Sequence, residues 1–377
     1  MNYHSRKIKM NLDKFRYWLP YYLYNNSYSC EERVTRGPID LFFCIVDHFE
    51  PFNGPVDYST AMSRVLVWKE RYPKFAMKHR DAIGKPIQHT WFYPPHTDHR
   101  ILPYLIELCL AGFGDIEMHL HHNHMHPFPD TSLTLKNKIL KCIDDYGKYG
   151  IFMQQDEKPR FAFIHGDWSL DNSGGFGLCG VNDELSILKE CGCYADFTFP
   201  CLNRSQPAMV NRIYYAIDDL TKPKSYNRGI PVKKGMISPD DALMIIQGII
   251  GLRFDRSKKY KLALEYSDLD FNDPPTKNRV DFWVRNAIPI EGHHNWRFIK
   301  LHTHGGREMR WDANFGEPAE QAFAYLEETY NDGRDYVLHY VTAREMYNII
   351  RAAEAGKEGD PNKYMDFDVA RYPYKNI

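Results

Sequence analysis

Apolar residues fall into two alternating kinds of block along this chain. Short continuous runs alternate with longer stretches in which apolar positions recur every three or four residues. The first run, Ile39-Asp40-Leu41-Phe42-Phe43-Cys44-Ile45-Val46, is apolar at nearly every position, as expected of a strand buried on both faces. A helix is predicted from about Ser59, with Val65, Trp68, Tyr72 and Phe75 on one face. A second strand, Ile87 to Tyr93, is stopped by Pro94-Pro95, and a helix from about Ile101 to Ala111 ends at Gly112. The third strand, Phe113 to Met118, runs into a histidine-rich stretch, and a helix from about Leu133 to Tyr146 follows. Then come strand Phe161 to Ile164, a helix capped by Asn182-Asp183-Glu184 and ending at Glu190, and strand Tyr194 to Pro200. The polar, turn-rich stretch from about Asn203 to Asp241 is expected to form loops over one end of the sheet.

Further on, Ala242 to Gly248 and Trp296 to Leu301 read as strands, and Arg279 to Asn286 and Pro318 to Tyr330 as helices. The last strand, Tyr336 to Val341, leads into Thr342-Ala343-Arg344-Glu345, a capping box that starts a final helix. Strands alternating with helices imply an α/β fold with a parallel sheet. The 377 residues fit one large domain. The expected organisation is an N-terminal extension over residues 1–37 packed on the domain, a core over 38–355 with a loop-rich insertion at about 203–290, and a C-terminal tail over 356–377.

Polar clusters recur just after the strands: Asp47-His48, His119 to His124, His165-Gly166-Asp167, then His302 and His304. In a parallel α/β barrel these strand ends meet at one mouth. Five of the seventeen histidines lie between His119 and His126. On a strand, His119 and His121 would project to the same side, with His122 or His124 closing in where the strand ends. Neutral imidazole is a common ligand for zinc and similar ions. One oxygen ligand, from Asp47 or Glu50, with two or three imidazoles, suits a divalent cation: zinc foremost, with iron, cobalt and nickel also served. His302 or His304 would protonate a leaving group, and His165, Asp167 and Trp168 would orient a ligand or hold substrate hydroxyls.

These motifs resemble those of the polysaccharide deacetylases, metal-dependent carbohydrate esterases built on an irregular (β/α) barrel, often of seven strands. The family's first motif, an acidic pair after strand one, corresponds to Ile45-Val46-Asp47-His48. The resemblance makes Asp47 the general base and puts His48 where a metal-binding Asp stands. Asp115-Ile116-Glu117-Met118-His119 matches the approach to the family's histidine pair, so His119 becomes the first ligand, with the second among His121, His122 and His124. Lys300-Leu301-His302 resembles the late motif whose histidine is the acid, and Tyr340 to Glu345 the family's final strand and helix. The family's Arg and Pro motif is replaced by His165-Gly166-Asp167-Trp168, from which no role transfers. The resemblance spans about residues 38 to 355 and implies metal-assisted removal of N- or O-acetyl groups from a carbohydrate.

Two further readings compete. His119-Leu120-His121 also suits an amidohydrolase-type enzyme acting on another C–N bond, although two strands precede it here. A barrel that binds glycans without turnover is the other. A net charge of −1 gives no broad field for nucleic acid, and no apolar run is long enough to span a bilayer. With no signal peptide, a cytoplasmic location and reduced cysteines are expected. Cys179, Cys191, Cys193 and Cys201 lack C-x-x-C spacing and read as small core residues. The pattern is silent on oligomeric state.

Overall fold

The computed structural model describes residues 15–28, 37–124, 127–256 and 261–375. They form a mixed α/β structure around one large, mostly parallel sheet. Its strands are β1 (Ile39–His48), β2 (His89–Tyr93), β3 (Gly114–Leu120), β4 (Phe161–His165), β5 (Cys193–Asp196), β6 (Ile213–Ile217), β7 (Ile230–Pro231) and β8 (Ala242–Ile246). A separate hairpin pairs β9 (Gly251–Phe254) with β10 (Leu262–Glu265). The sheet is completed by β11 (Ile288–Ile290), β12 (His293–Thr303) and β13 (Tyr336–Tyr340). The order is β11-β12-β1-β2-β3-β4-β5-β8-β6-β7, with β13 also on β1.

The apolar runs end up where their composition requires. From Leu41 to His48 every residue of β1 is buried, because β12 flanks one edge, β13 and β2 share the other, and helices cover a face. The helix Tyr58–Ala76 starts at Asp57, whose side chain accepts from the Thr60 amide at 2.8 Å, and it buries Val65, Trp68, Tyr72 and Phe75. The helix Ala343–Glu354 begins with both bonds of the Thr342/Glu345 capping box. Each such bond satisfies an amide that the first helical turn leaves without a partner.

Two expectations are corrected. The stretch from Asn203 to Asp241 is not all loop: β6 pairs antiparallel with β8, and β7 with β6, extending the sheet. Tyr214 and Tyr215 anchor it, Tyr214 donating to the Tyr226 carbonyl and Tyr215 to Glu354. Asp183 does not cap the helix Glu184–Glu190 through its side chain; it accepts instead from Ser132 at 2.8 Å.

Among the described residues the strand ladder does not close on itself. The gap between β12 and the β5–β8 pair is nevertheless bridged. The His302 amide donates to Ser267 O and the Leu269 amide to His302 O, both at 2.8 Å. The Ser267 hydroxyl bonds both the amide and the carbonyl of Ile249. Lys300, buried on β12, donates to the carbonyls of Phe197 and Phe199. The tail packs against the core as well: Tyr372 donates to Glu117 and Tyr374 to Asp115. No described helix is long and apolar enough to cross a membrane.

Candidate metal centre

His119 leaves β3 with its ring pinned. Its Nδ1 lies 3.0 Å from the Ile164 carbonyl on neighbouring β4. A carbonyl only accepts, so the ring proton sits on Nδ1 and Nε2 carries a lone pair. That Nε2 is buried, has no hydrogen-bond partner, and stands 3.9 Å from Glu50 Oε1. His121, two residues on and on the same side, brings Nε2 to 2.9 Å from the same oxygen and Nδ1 to 3.4 Å from Asp167 Oδ2. The donor atoms of Glu50, His119 and His121 all lie within 4.8 Å of one another. An imidazole lone pair facing a carboxylate oxygen is repulsive unless a cation stands between them. Two imidazoles and one carboxylate, each imidazole held through its other nitrogen, are the donor set of many catalytic divalent-ion sites. The residues therefore fit the implied ion.

Around this group stand more imidazoles. His48 ends β1 with its ring stacked on His304 at 4.5 Å and 5.0 Å from that of His119. Trp168 lies 5.8 Å from His48 and 5.7 Å from His304, and His302 lies 6.2 Å from His48. The Nε2 of His48, Nδ1 of His304 and both nitrogens of His302 are buried without hydrogen-bond partners. Asp268 Oδ1 is 3.9 Å from His302 Nε2 and is itself paired to Arg310 at 2.8 Å.

Burial holds His48 and His302 well below the ordinary histidine range and His119 at about 3, reinforced by neighbouring imidazoles at His48 and His119 and first by Lys300 at His302. Burial also lowers His304. Burial alone would lower His121, but the Asp167 and Glu50 carboxylates outweigh it and raise the group to about 9. Conversely, burial alone would raise Glu50, and the bond and charges from His121 and His119 hold it well below the usual carboxylate range.

The loops that carry these groups touch closely. A Cβ on Gly306 would sit 2.6 Å from the Glu50 carbonyl carbon, and one on Gly166 would sit 2.4 Å from the His121 ring. Asp167, Trp168, Asp171 and Asn172 all have φ between 50° and 55°. Left-handed backbone costs non-glycine residues of order 1 kcal/mol each, and such strain concentrates at functional loops.

Asp47 is placed differently from the expected base. Its neighbour His48 faces the imidazole group, so the alternation along β1 turns Asp47 to the opposite face. There Oδ2 meets His89 Nε2 at 3.0 Å and Oδ1 accepts from the Gly305 amide at 2.7 Å. Asp47 thus holds the loop that carries His304, while the oxygen among the converging donors is Glu50. His48 lies alongside those donors, outside the converging three. The side chain of His124 lies outside the described residues.

His122 and His165, expected to support substrate or ligand, belong to a second group with Cys179 and Glu184. His122 Nε2 is 3.0 Å from Glu184 Oε1, and its Nδ1 is 3.1 Å from Asp130, which Lys138 also pairs. Cys179 Sγ is 3.6 Å from Glu184 Oε2, and the His122 and His165 rings stack at 4.6 Å. Cys179 is therefore not only a small core residue, and Glu184 is more than part of a helix start. No sequence spacing joins residues 122, 165, 179 and 184; the only clues were that His122 and His165 each lie at or just past the end of a strand. Asp268 and Arg310 were missed because neither the single bridge that sets Asp268 beside His302 nor the 3-10 turn ending at Arg310 leaves a periodic signal.

Neither a protein-family model nor any curated protein sequence matches the chain.

Proposed function

We propose that this chain is a metal-dependent hydrolase that removes N- or O-linked acetyl groups from a carbohydrate, on an irregular (β/α) barrel whose seam is the 267–269 segment beside β12. The observation that carries the proposal is the convergence of Glu50, His119 and His121 with the orphaned His119 Nε2. Zinc suits these donors best, and iron, cobalt or nickel would also be held. When bound, such an ion polarises a carbonyl and activates water.

The surrounding side chains supply the proton traffic. His302, held in its neutral form, would take the proton released by the attacking water and pass it to the leaving group. Asp268, steadied by Arg310, stabilises the imidazolium that forms in between. His48 and His304 are neutral too and offer further acceptors beside the donors. Trp168 offers a face on which a sugar ring can stack, and Asp167 keeps His121 oriented. The carbohydrate rests on the resemblance of the strand-end motifs and on this ring.

The test is acetate release from N- and O-acetylated sugars by the purified protein, with and without a chelator, beside His119→Ala. Release that needs the ion and disappears in the variant supports the reading. Metal-loaded protein that frees no acetate from any acylated sugar sinks it and leaves the amidohydrolase or glycan-binding reading.

A further inference from the structure

We infer that His122, His165, Cys179 and Glu184 form a second, structural site for a divalent transition ion, distinct from the Glu50 group. His165 carries the inference. Its Nδ1 lies 2.5 Å from the Gly166 carbonyl, so that nitrogen bears the proton and Nε2 a lone pair. Nε2 is fully buried with no hydrogen-bond partner, and its nearest charged neighbour is Glu184 Oε2 at 3.6 Å. Glu184 Oε2 already accepts from the Asp171 amide at 2.6 Å and faces Cys179 Sγ. An imidazole lone pair, a carboxylate and a sulfur thus point into one small space. The Cys179 thiol donates to that carboxylate, while the His165 lone pair opposes it; a cation there takes the place of the thiol proton and turns the lone pair–carboxylate repulsion into coordination.

The donors number four and lie within 4.8 Å of one another, and all four residues are buried. Two nitrogens, one thiolate and one carboxylate match a closed tetrahedral site, and the sulfur selects zinc over magnesium or calcium. Four protein ligands leave no open position, so the ion is structural. Its binding releases the Cys179 thiol proton and the proton that His122 holds between Asp130 and Glu184. The ligands come from the end of β3, the end of β4, the 169–181 loop and the start of the helix Glu184–Glu190. An ion there ties these segments together one residue from His121 and two from Asp167.

Cobalt(II) loading of the full-length protein tests this without reference to activity. The Cys30→Ser background is used, because Cys30 lies outside the described residues. Apart from Cys179, the described cysteines are buried and belong to no metal-like group among the described residues. Elemental analysis is expected to give two ions per chain, with a thiolate-to-cobalt charge-transfer band in the near ultraviolet. His119→Ala should keep one ion and the whole band; Cys179→Ser should lose the band. If Cys179→Ser fails to fold, the band in the parent protein still decides. Cobalt-treated protein without the band, or a band that survives Cys179→Ser, overturns the site and leaves an Asp130–His122–Glu184 ion triad alone. Acetate assays play no part, so failure of the hydrolase reading would be separately visible.

Discussion

His121 and His122 are consecutive in the chain yet serve two groups of opposite character. The Glu50–His119–His121 group reaches the surface: the Glu50 and His121 side chains are 14% and 10% exposed, whereas those of His122, His165 and Glu184 are wholly buried. Around the first, His48, His302 and His304 carry buried ring nitrogens without hydrogen-bond partners, and only one carboxylate stands among the donors. Within the second, His122 lies between two carboxylates and is held well above the ordinary histidine range: burial opposes this, and Glu184 and Asp130 prevail. Burial leaves His165, in the same group, at about 4. The difference teaches that residue type does not set a histidine's role. Access to solvent and the number of neighbouring carboxylates do.

The sharpest way to break the contrast is Glu184→Ala. It removes a buried partner from His122, His165, Cys179 and the Asp171 amide together. A loss of about 3–5 kcal/mol in chemical denaturation is expected, the usual cost of stranding a buried charge. A loss under about 1 kcal/mol would show that the buried group holds nothing together.

Gly166→Ala probes the junction between the groups. The added methyl would overlap the His121 ring, so the ring or the loop must move. Overpacking of this kind costs about 1–3 kcal/mol. Metal affinity at the Glu50 group should fall about 10–100-fold, as when a ligand's support is disturbed. Titration with a competing chelator measures it, and unchanged affinity would detach Gly166 from the site.

Asp171→Asn should act in the opposite direction, and only at the alkaline end. Burial raises the Asp171 carboxyl to about 8, outweighing the bond its Oδ2 accepts from the Ser225 amide. Its folded value therefore exceeds the unfolded value near 4. Between those values the unfolded chain binds fewer protons, so the stability contribution is full below about pH 4 and is lost as pH rises through 8. Asparagine keeps the acceptor, tolerates the left-handed backbone and does not titrate. The variant should gain about 1–3 kcal/mol near pH 8 and nothing near pH 4. Thermal melts across that range check it, and a pH-independent difference would contradict the assignment.

Much of the fold was legible because its signals are local. Continuous apolar runs gave β1 and β4, and the Thr342 box marked its helix to the residue. The strand β6 was overlooked although Ile213-Tyr214-Tyr215-Ala216-Ile217 is a short apolar, aromatic run, because turn-rich polar residues surround it; it pairs where β8 offers an open edge. The histidine-rich strand end announced metal chemistry, and the i, i+2 rule joined His119 to His121. That rule could not choose Asp47 or Glu50, since the choice depends on which face of β1 turns toward the imidazoles and on the path of the loop past His48 that carries Glu50.

The order of residues alone thus determined an α/β fold and a concentration of ligand-type side chains just past the strands, because periodicity and strand alternation act over a few residues. Only the folded chain decided which carboxylate joins which imidazole, and that residues 122, 165, 179 and 184 share one buried space. Such pairings depend on burial and on distances between segments far apart in the chain, and no nearest-neighbour pattern records them.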